Sequence, residues 1–206
     1  LFALLHKHRY LERPKVYYPG IELIAEADLS SDSDLYLQDH APYGVALLPL
    51  VSAIEAMLSA AMVVRATGEL PLIDDLRIGE AISCTRGQRF VLRTSTLVDE
   101  DGSLRAEVRC DTTDFNVVHF SCRMVWPEPR SQMSRDLMGC DNLPASDLLY
   151  RGLAFHGPRF QRLDSYRTLS ATECCVNTRP GPPLRWYGSL LPAGFAGGDP
   201  AIRDSA

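Results

Sequence analysis

The chain has 206 residues, of which 46% are hydrophobic, and it carries a formal net charge of −5. This length and apolar content suffice for one large domain or two small domains with a packed core. The acidic balance and the lack of any run of Lys or Arg argue against nucleic acid as a partner. The apolar runs are shorter than the roughly 20 residues of a membrane span, so we expect no membrane insertion.

Six cysteines occur without C-x-x-C spacing, which favours free thiols over a disulfide framework. Within residues 1–9 the charges follow a short apolar run, which is the reverse of the order in a signal peptide. We therefore expect a cytoplasmic location. Because the chain does not begin with methionine, we also expect it to be a piece of a longer protein.

The first predicted elements are a lead-in over residues 1–20 and a strand over residues 21–29. Apolar and polar residues alternate along 21–29, which is typical of a half-buried strand. A polar turn over residues 30–34 then leads towards His40, which lies on an irregular loop.

A buried helix is predicted over residues 51–66. Its only polar residues are Ser52, Glu55, Ser59 and Arg65. A helix that is apolar around most of its circumference belongs inside a protein. Pro49 suits the first turn of this helix, and Gly68 followed by Pro71 predicts its end.

An antiparallel meander is predicted after the helix. Residues 70–80 read as extended, and the strands 90–98 and 104–110 flank the tight-turn pair Asp101-Gly102. Another strand is predicted over residues 118–126. One buried helix followed by such a meander favours an α+β fold in which a curved sheet wraps around the helix.

The chain then changes character. Residues 127–145 lose all periodicity and read as a linker between an N-terminal unit, 1–126, and a second unit, 146–206. The second unit opens with a short helix near residues 146–151 and continues with strands near 162–169 and 172–178. We interpret it as a restart of the plan of the first unit that stops before completion.

His40 is a candidate functional residue, whereas Asp204 taken alone reads as a helix cap. His40 and the flexible Gly44 precede the N-terminus of the buried helix, where free N–H groups can bind a polarised oxygen. We find no G-x-S-x-G, P-loop or G-x-G-x-x-G motif. His119 reads as structural, and no His, Cys or Asp spacing predicts a metal site.

Three segments resemble the dehydratase domains of polyketide synthases. The first is His40-x-x-x-Gly44-x-x-x-x-Pro49, which is similar to the first signature of that family. The segment 199–204, Asp-Pro-Ala-Ile-Arg-Asp, resembles the second signature, and 155–161, Phe-His-Gly-Pro-Arg-Phe-Gln, resembles the region between them. Residues 36–40 and 155–158 are closest in character to iterative, enediyne-type synthases.

The resemblance implies a double hotdog, two antiparallel sheets each wrapped around a central helix, with the second hotdog incomplete in this chain. It implies the elimination of water from a 3-hydroxyacyl thioester, with His40 as base and Asp204 as acid. The Gly44 N–H would polarise the thioester carbonyl unless Gly44 merely makes a turn. The other implied substrate-binding residues are Pro49, His156, Gly157 and Phe160.

The same resemblance implies an acyl carrier protein as partner, together with other domains of one synthase and a homodimeric assembly. The substrate would be carried on phosphopantetheine, and no further cofactor is expected. Three departures from the family pattern stand out: Leu50 replaces a glycine, His156 replaces a tyrosine, and Asp199 replaces a histidine. Three alternatives remain open, namely a hotdog thioesterase, a non-catalytic product-shaping domain and a dimerisation module.

Overall fold

The computed structural model describes residues 8–126, 143–144, 149–150, 154–181, 184–188 and 194–205. Residues 8–126 build a six-stranded sheet around a helix. The later described residues supply a three-stranded sheet and a short helix.

Eleven strands and three α-helices make up the described structure. The strands are β1 (Arg13–Tyr18), β2 (Glu22–Ser30), β3 (Ala46–Leu47), β4 (Leu72–Ile78), β5 (Ser83–Cys84), β6 (Arg89–Val98), β7 (Leu104–Cys110), β8 (Phe120–Val125), β9 (Leu143–Pro144), β10 (Leu163–Leu169) and β11 (Cys174–Thr178). The helices are α1 (Tyr36–Asp39), α2 (Leu50–Arg65) and α3 (Pro200–Asp204).

The large sheet is antiparallel throughout and has the strand order β1-β2-β6-β7-β8-β4. Burial alternates along β6 and β7, because successive side chains of a strand point to opposite faces of the sheet. One face therefore consists of buried residues and packs on α2, which contacts β2, β6 and β7. The predicted strands 21–29, 90–98 and 104–110 are confirmed.

Helix α2 lies against this sheet and is buried over most of its length. Ala53, Ala56 and Ala60 are fully buried, and their small side chains allow the strands to approach the helix closely. Met57 is also fully buried, with its Sδ 3.7 Å from the Cys122 Sγ on β8. Truncating such a side chain to alanine costs about 2–5 kcal/mol. The sheet wrapped around α2 confirms the α+β, hotdog-type prediction.

Three local predictions need correction. The lead-in over residues 1–20 contains β1, which pairs with β2 and has a bulge between Pro14 and Val16. The short strands β3 and β5 pair with each other and were not predicted. Helix α2 ends at Arg65, and its C-cap is Ala66, in the left-handed conformation at φ 50°, rather than Gly68.

The second region is less regular. Its small sheet has the order β11-β10-β9, which confirms the two predicted strands near 162–169 and 172–178. The described residues therefore contain one sheet around a helix and part of a second unit. Most of the predicted linker 127–145 and of the short helix near 146–151 lies outside the described residues.

The cysteines in the described residues are free thiols: Cys84, Cys110, Cys122, Cys174 and Cys175. Within the described ranges, no helix combines the length and the apolar character needed to cross a membrane.

Candidate active site

His40 lies where α1 ends, and its backbone leaves the helical conformation at φ −119° and ψ 70°. Its ring Nδ1 lies 3.1 Å from the carbonyl oxygen of Leu47. A carbonyl oxygen can only accept a hydrogen bond, so Nδ1 carries the proton in this contact. The Nε2 lone pair of neutral His40 is therefore the one available to take up a proton.

Aromatic rings surround His40. The ring centroids of Phe155 and Phe160 lie 5.0 Å and 5.6 Å from that of His40. Burial lowers the pKa of the His40 imidazole below its usual 6.5, and the attraction of the Asp204 carboxylate opposes this shift without reversing it. His40 is thereby biased towards the neutral form, which is the form that can act as a base.

His156 and Asp204 complete a group of three. An isolated antiparallel bridge joins His40 to His156. The Nε2 of His156 lies 2.9 Å from the Oδ2 of Asp204, and the two side chains are 21% and 13% exposed. The structure thus brings His40, His156 and Asp204 together, with one donor atom of each within 4.8 Å of the others.

Asp204 is the last residue of α3. The Asp199 side chain caps this helix by accepting a hydrogen bond of 2.9 Å from the Ala201 N–H. The other Asp199 oxygen lies 3.0 Å from the Nε of Arg162, which is only 2% exposed. A buried guanidinium therefore holds the cap of the helix that carries Asp204.

Glu55 connects α2 to the segment before α3. Its buried carboxylate accepts hydrogen bonds from the backbone N–H groups of Ala196 and Gly197, the latter at 3.0 Å. Burial raises the pKa of Glu55 above its usual 4.5, while these two N–H groups act in the opposite direction. Glu55 thus faces protein, and a charged residue on a buried helix is the sequence signal for this contact.

Asp39 fastens the segment 155–161 beside His40. Its carboxylate accepts a hydrogen bond of 2.6 Å from the Arg159 Nη1, and its carbonyl oxygen accepts one of 2.7 Å from the Gly157 N–H. A Cβ on Gly157 would collide with Asp39, so only glycine permits this approach. Sequence analysis did not identify Asp39 or Arg159 as contributors to the site.

Gly44 and Pro49, two of the predicted substrate-binding residues, lie in a turn and at the start of α2. Gly44 has φ 80°, and its N–H donates a hydrogen bond of 3.1 Å to the Ala41 carbonyl. Gly44 therefore makes a turn, and binding a thioester carbonyl would require that hydrogen bond to open. Pro49 is the N-cap of α2.

Phe160 is 2% exposed, and its ring centroid lies 5.2 Å from that of Trp186. Most of its surface is therefore used in packing, although one side approaches the rings of His40 and His156. Phe160 contributes to the apolar surroundings of His40.

His40, His156 and Asp204 are also a possible set of metal ligands. One donor atom from each lies within 4.8 Å of the others. The expectation of no metal site was based on short-range spacing. That criterion cannot detect three residues brought together by the fold.

Similarity to known proteins was found for the sequence and for the fold. A sequence model of a family described as "Polyketide synthase dehydratase domain" matches residues 8–111. A comparison with curated protein sequences gave no match.

Several solved structures share the fold. The dehydratase domain of PpsC from Mycobacterium tuberculosis, in complex with C12:1-CoA, has a TM-score of 0.72 and 24% identity, with 96% of this chain and 71% of that chain covered. The dehydratase domain from the CurJ module of curacin polyketide synthase has a TM-score of 0.70 and 16% identity, with 86% of this chain and 63% of that chain covered. The dehydratase domain from the CurF module of the same synthase has a TM-score of 0.65 and 20% identity, with 77% of this chain and 62% of that chain covered. The chain thus spans less than two thirds of the length of these curacin domains.

Proposed function

The chain belongs to the polyketide synthase dehydratase domain family, and from this membership we propose that it eliminates water from a 3-hydroxyacyl thioester. His40 is the base and Asp204 the acid. The observation that carries the proposal is that the fold brings these two residues, far apart in the sequence, so close that one donor atom of each lies within 4.8 Å of the other.

The base has to remove a weakly acidic proton from the carbon next to the thioester carbonyl. The Leu47 carbonyl holds the Nδ1–H of His40 and so leaves the Nε2 lone pair for this proton. Removing a proton in this way requires neutral imidazole, and the burial that lowers the pKa of His40 favours that form. The aromatic rings around His40 also limit the access of water.

The acid has to protonate the departing 3-hydroxyl group. At 2.9 Å, the His156 Nε2 and the Asp204 Oδ2 are at hydrogen-bond distance, so a proton on either is shared by the pair. As the C–H bond breaks, its electrons form the double bond, the C–O bond breaks, and the oxygen takes this proton and leaves as water. His40 ends protonated and the pair has lost a proton, so one proton transfer between them resets the site.

The thioester carbonyl needs a hydrogen-bond donor as negative charge develops on its oxygen. The Gly44 N–H, close to the N-terminus of α2, takes this role if its bond to Ala41 opens when substrate binds. Pro49 is the N-cap residue that precedes α2. His156, Gly157 and Phe160 form the acyl side of the site.

Family membership supports a proposal for the substrate class and the partners. The substrate is carried on the phosphopantetheine of an acyl carrier protein within the same synthase, which is homodimeric, and no further cofactor is required. The PpsC domain is solved with C12:1-CoA, whose name denotes an acyl thioester with one double bond, the product class of a dehydration. The residues at 36–40 and 155–158 further favour an iterative, enediyne-type synthase.

A product assay tests the proposal. The chain is given a 3-hydroxyacyl pantetheine thioester, and mass spectrometry follows the loss of one water. We expect an enoyl thioester from the native chain and a strong loss of product with His40→Ala and with Asp204→Asn. Asp75→Asn is the matched control, because Asp75 forms only an exposed ion pair with Arg77.

The products also separate the alternatives. Release of a free 3-hydroxy acid would identify a thioesterase. The absence of turnover in the folded native chain would favour a non-catalytic product-shaping or dimerisation role. Unchanged dehydration in His40→Ala would remove His40 from the mechanism.

A further inference from the structure

The donor atoms of His40, His156 and Asp204 are close enough to share one metal ion. Each pair lies within 4.8 Å, and the shortest separation, between the His156 Nε2 and the Asp204 Oδ2, is 2.9 Å. In a tetrahedral zinc site with metal–ligand bonds of about 2.0–2.1 Å, neighbouring donors are about 3.3 Å apart. Binding one ion therefore requires the side chains to move the three donors to that spacing.

The chemistry of the donors selects the ion. Two imidazole nitrogens and one carboxylate oxygen suit Zn²⁺ and related transition metals, whereas Mg²⁺ and Ca²⁺ prefer oxygen donors alone. Three protein ligands leave one tetrahedral position open. His156, which stands where the resembling family has a tyrosine, supplies the second nitrogen.

His40 already has the kind of support that a metal-binding histidine needs. Metal-binding histidines commonly donate the second ring N–H to a carbonyl or carboxylate, which fixes the tautomer and the ring orientation. The Nδ1 of His40 meets the Leu47 carbonyl in this way and leaves Nε2 for the metal. The helix that carries Asp204 is supported by the Asp199 cap, and the Asp199 carboxylate in turn contacts Arg162.

An ion has a route to these donors. The side chains of His156 and Asp204 are 21% and 13% exposed, so the group is partly shielded but open to solvent. Partial burial strengthens the attraction between an ion and the Asp204 carboxylate, because less water screens it.

We propose that His40, His156 and Asp204 form a binding site for one Zn²⁺-class ion, and that the metal-bound chain does not dehydrate its substrate. The ion takes the Nε2 lone pair of His40, so metal binding and proton abstraction exclude each other. This inhibition rests on the proposed function. The binding itself does not, since it needs only the three side chains.

Direct binding measurements test the site independently of activity. Metal-free protein is titrated with Zn²⁺ by calorimetry and with Co²⁺ by visible absorption. The expected result is one ion per chain and the intense Co²⁺ bands of a four-coordinate site. His156→Gln and Asp204→Asn should each weaken the affinity at least about 100-fold, since each removes a direct ligand.

Thiols need a separate control. Cys174 is exposed and next to Cys175, so a Cys174→Ser, Cys175→Ser double variant should bind Zn²⁺ as tightly as the native chain. Loss of binding in this variant, undiminished binding in His156→Gln, or no binding in the native chain would each overturn the proposal.

A measurement on the native chain avoids any dependence on the folding of variants. Zn²⁺ should slow the carbethoxylation of His40 and His156 by diethyl pyrocarbonate, as followed by peptide mass spectrometry. Equal modification rates with and without Zn²⁺ would contradict the site. If Zn²⁺ binds but His40→Ala still dehydrates, the proposed function fails while the metal site stands. If the native chain dehydrates its substrate but binds no Zn²⁺, the proposed function stands while the metal site fails.

Discussion

Strands β6 and β7 bury alternate side chains against α2, whereas β10 and β11 bury only Ser165. His40 therefore belongs to a region stabilised by a continuous apolar core. Asp204 belongs to a region whose described strands have little apolar core of their own, and contacts with the first region hold it.

These contacts are of two kinds. Phe160, Trp186 and Tyr187 are buried and join the apolar core of the first region. The Asp199 cap with Arg162, and the Glu55 carboxylate with two backbone N–H groups, are polar. The difference indicates that the position of the acid is more sensitive to single polar substitutions than the position of the base.

The largest expected effect is that of His40→Ala on turnover. Losing a general base typically lowers the rate about 10²–10⁴-fold. Because the core of the first region does not depend on the imidazole, thermal unfolding should remain close to that of the native chain. Turnover and unfolding are measured on the same preparation. A large fall in unfolding temperature would show that His40 is a structural residue.

The next effect is that of Asp199→Ala. Removing a helix cap costs about 1 kcal/mol, and leaving the buried Arg162 without its carboxylate raises the total to about 3–5 kcal/mol. We expect faster amide exchange in α3 and a loss of turnover, with unchanged exchange in β6 and β7. Asp199→Asn retains an oxygen for the cap, so its α3 exchange rate and its turnover should lie between those of the native chain and those of Asp199→Ala. Uniformly faster exchange would contradict the separation of the two regions.

A smaller effect is expected from Glu55→Gln. The amide retains one oxygen, so one of the two N–H groups of Ala196 and Gly197 loses its acceptor, at a cost of about 1–3 kcal/mol. The measurement is amide exchange at these two residues, together with turnover. The control is Glu69→Gln, because the Glu69 carboxylate is exposed and lies beyond the C-terminal end of α2. Equal exchange in the two variants would remove Glu55 from the support of α3.

The smallest expected effect is the change of kcat/KM and of stability with pH that the His40 imidazole causes. Since the folded pKa of His40 is below 6.5, kcat/KM should fall on the acid side with a midpoint below pH 6.5. The unfolded histidine binds a proton more readily than the folded one. Stability should therefore fall as the pH drops through 6.5, until the folded imidazole is also protonated. His40→Gln should lack this component, and an acid midpoint above 6.5 would contradict the burial of the base.

Local periodicity explains which parts of the fold were predictable from the sequence. Strand β7 alternates apolar and polar residues in its sequence, and α2 is apolar over nearly all its surface. Strand β1 was missed because it is an edge strand with a proline and charged residues, which is how exposed sheet edges avoid further pairing. Strands β3 and β5 have two residues each, too few to show a period.

The candidate site was partly predictable for a related reason. His40 and Asp204 came from motifs, which are local in sequence. The roles of Glu55, Arg162 and Asp39 depend on contacts between distant segments, and no spacing encodes them. The partnership of His156 with Asp204 was equally hidden, although the departure from tyrosine marked the position.

The central claim is that a base held by the first region and an acid held by the second act together in one elimination. The most direct test is a double-mutant cycle of His40→Ala and Asp204→Asn, read as single-turnover rates of enoyl thioester formation. Groups that act as a unit are strongly non-additive, so the double variant should be no more than about 3-fold slower than the slower single variant. If the two losses multiply instead, the two residues act independently and do not form one site.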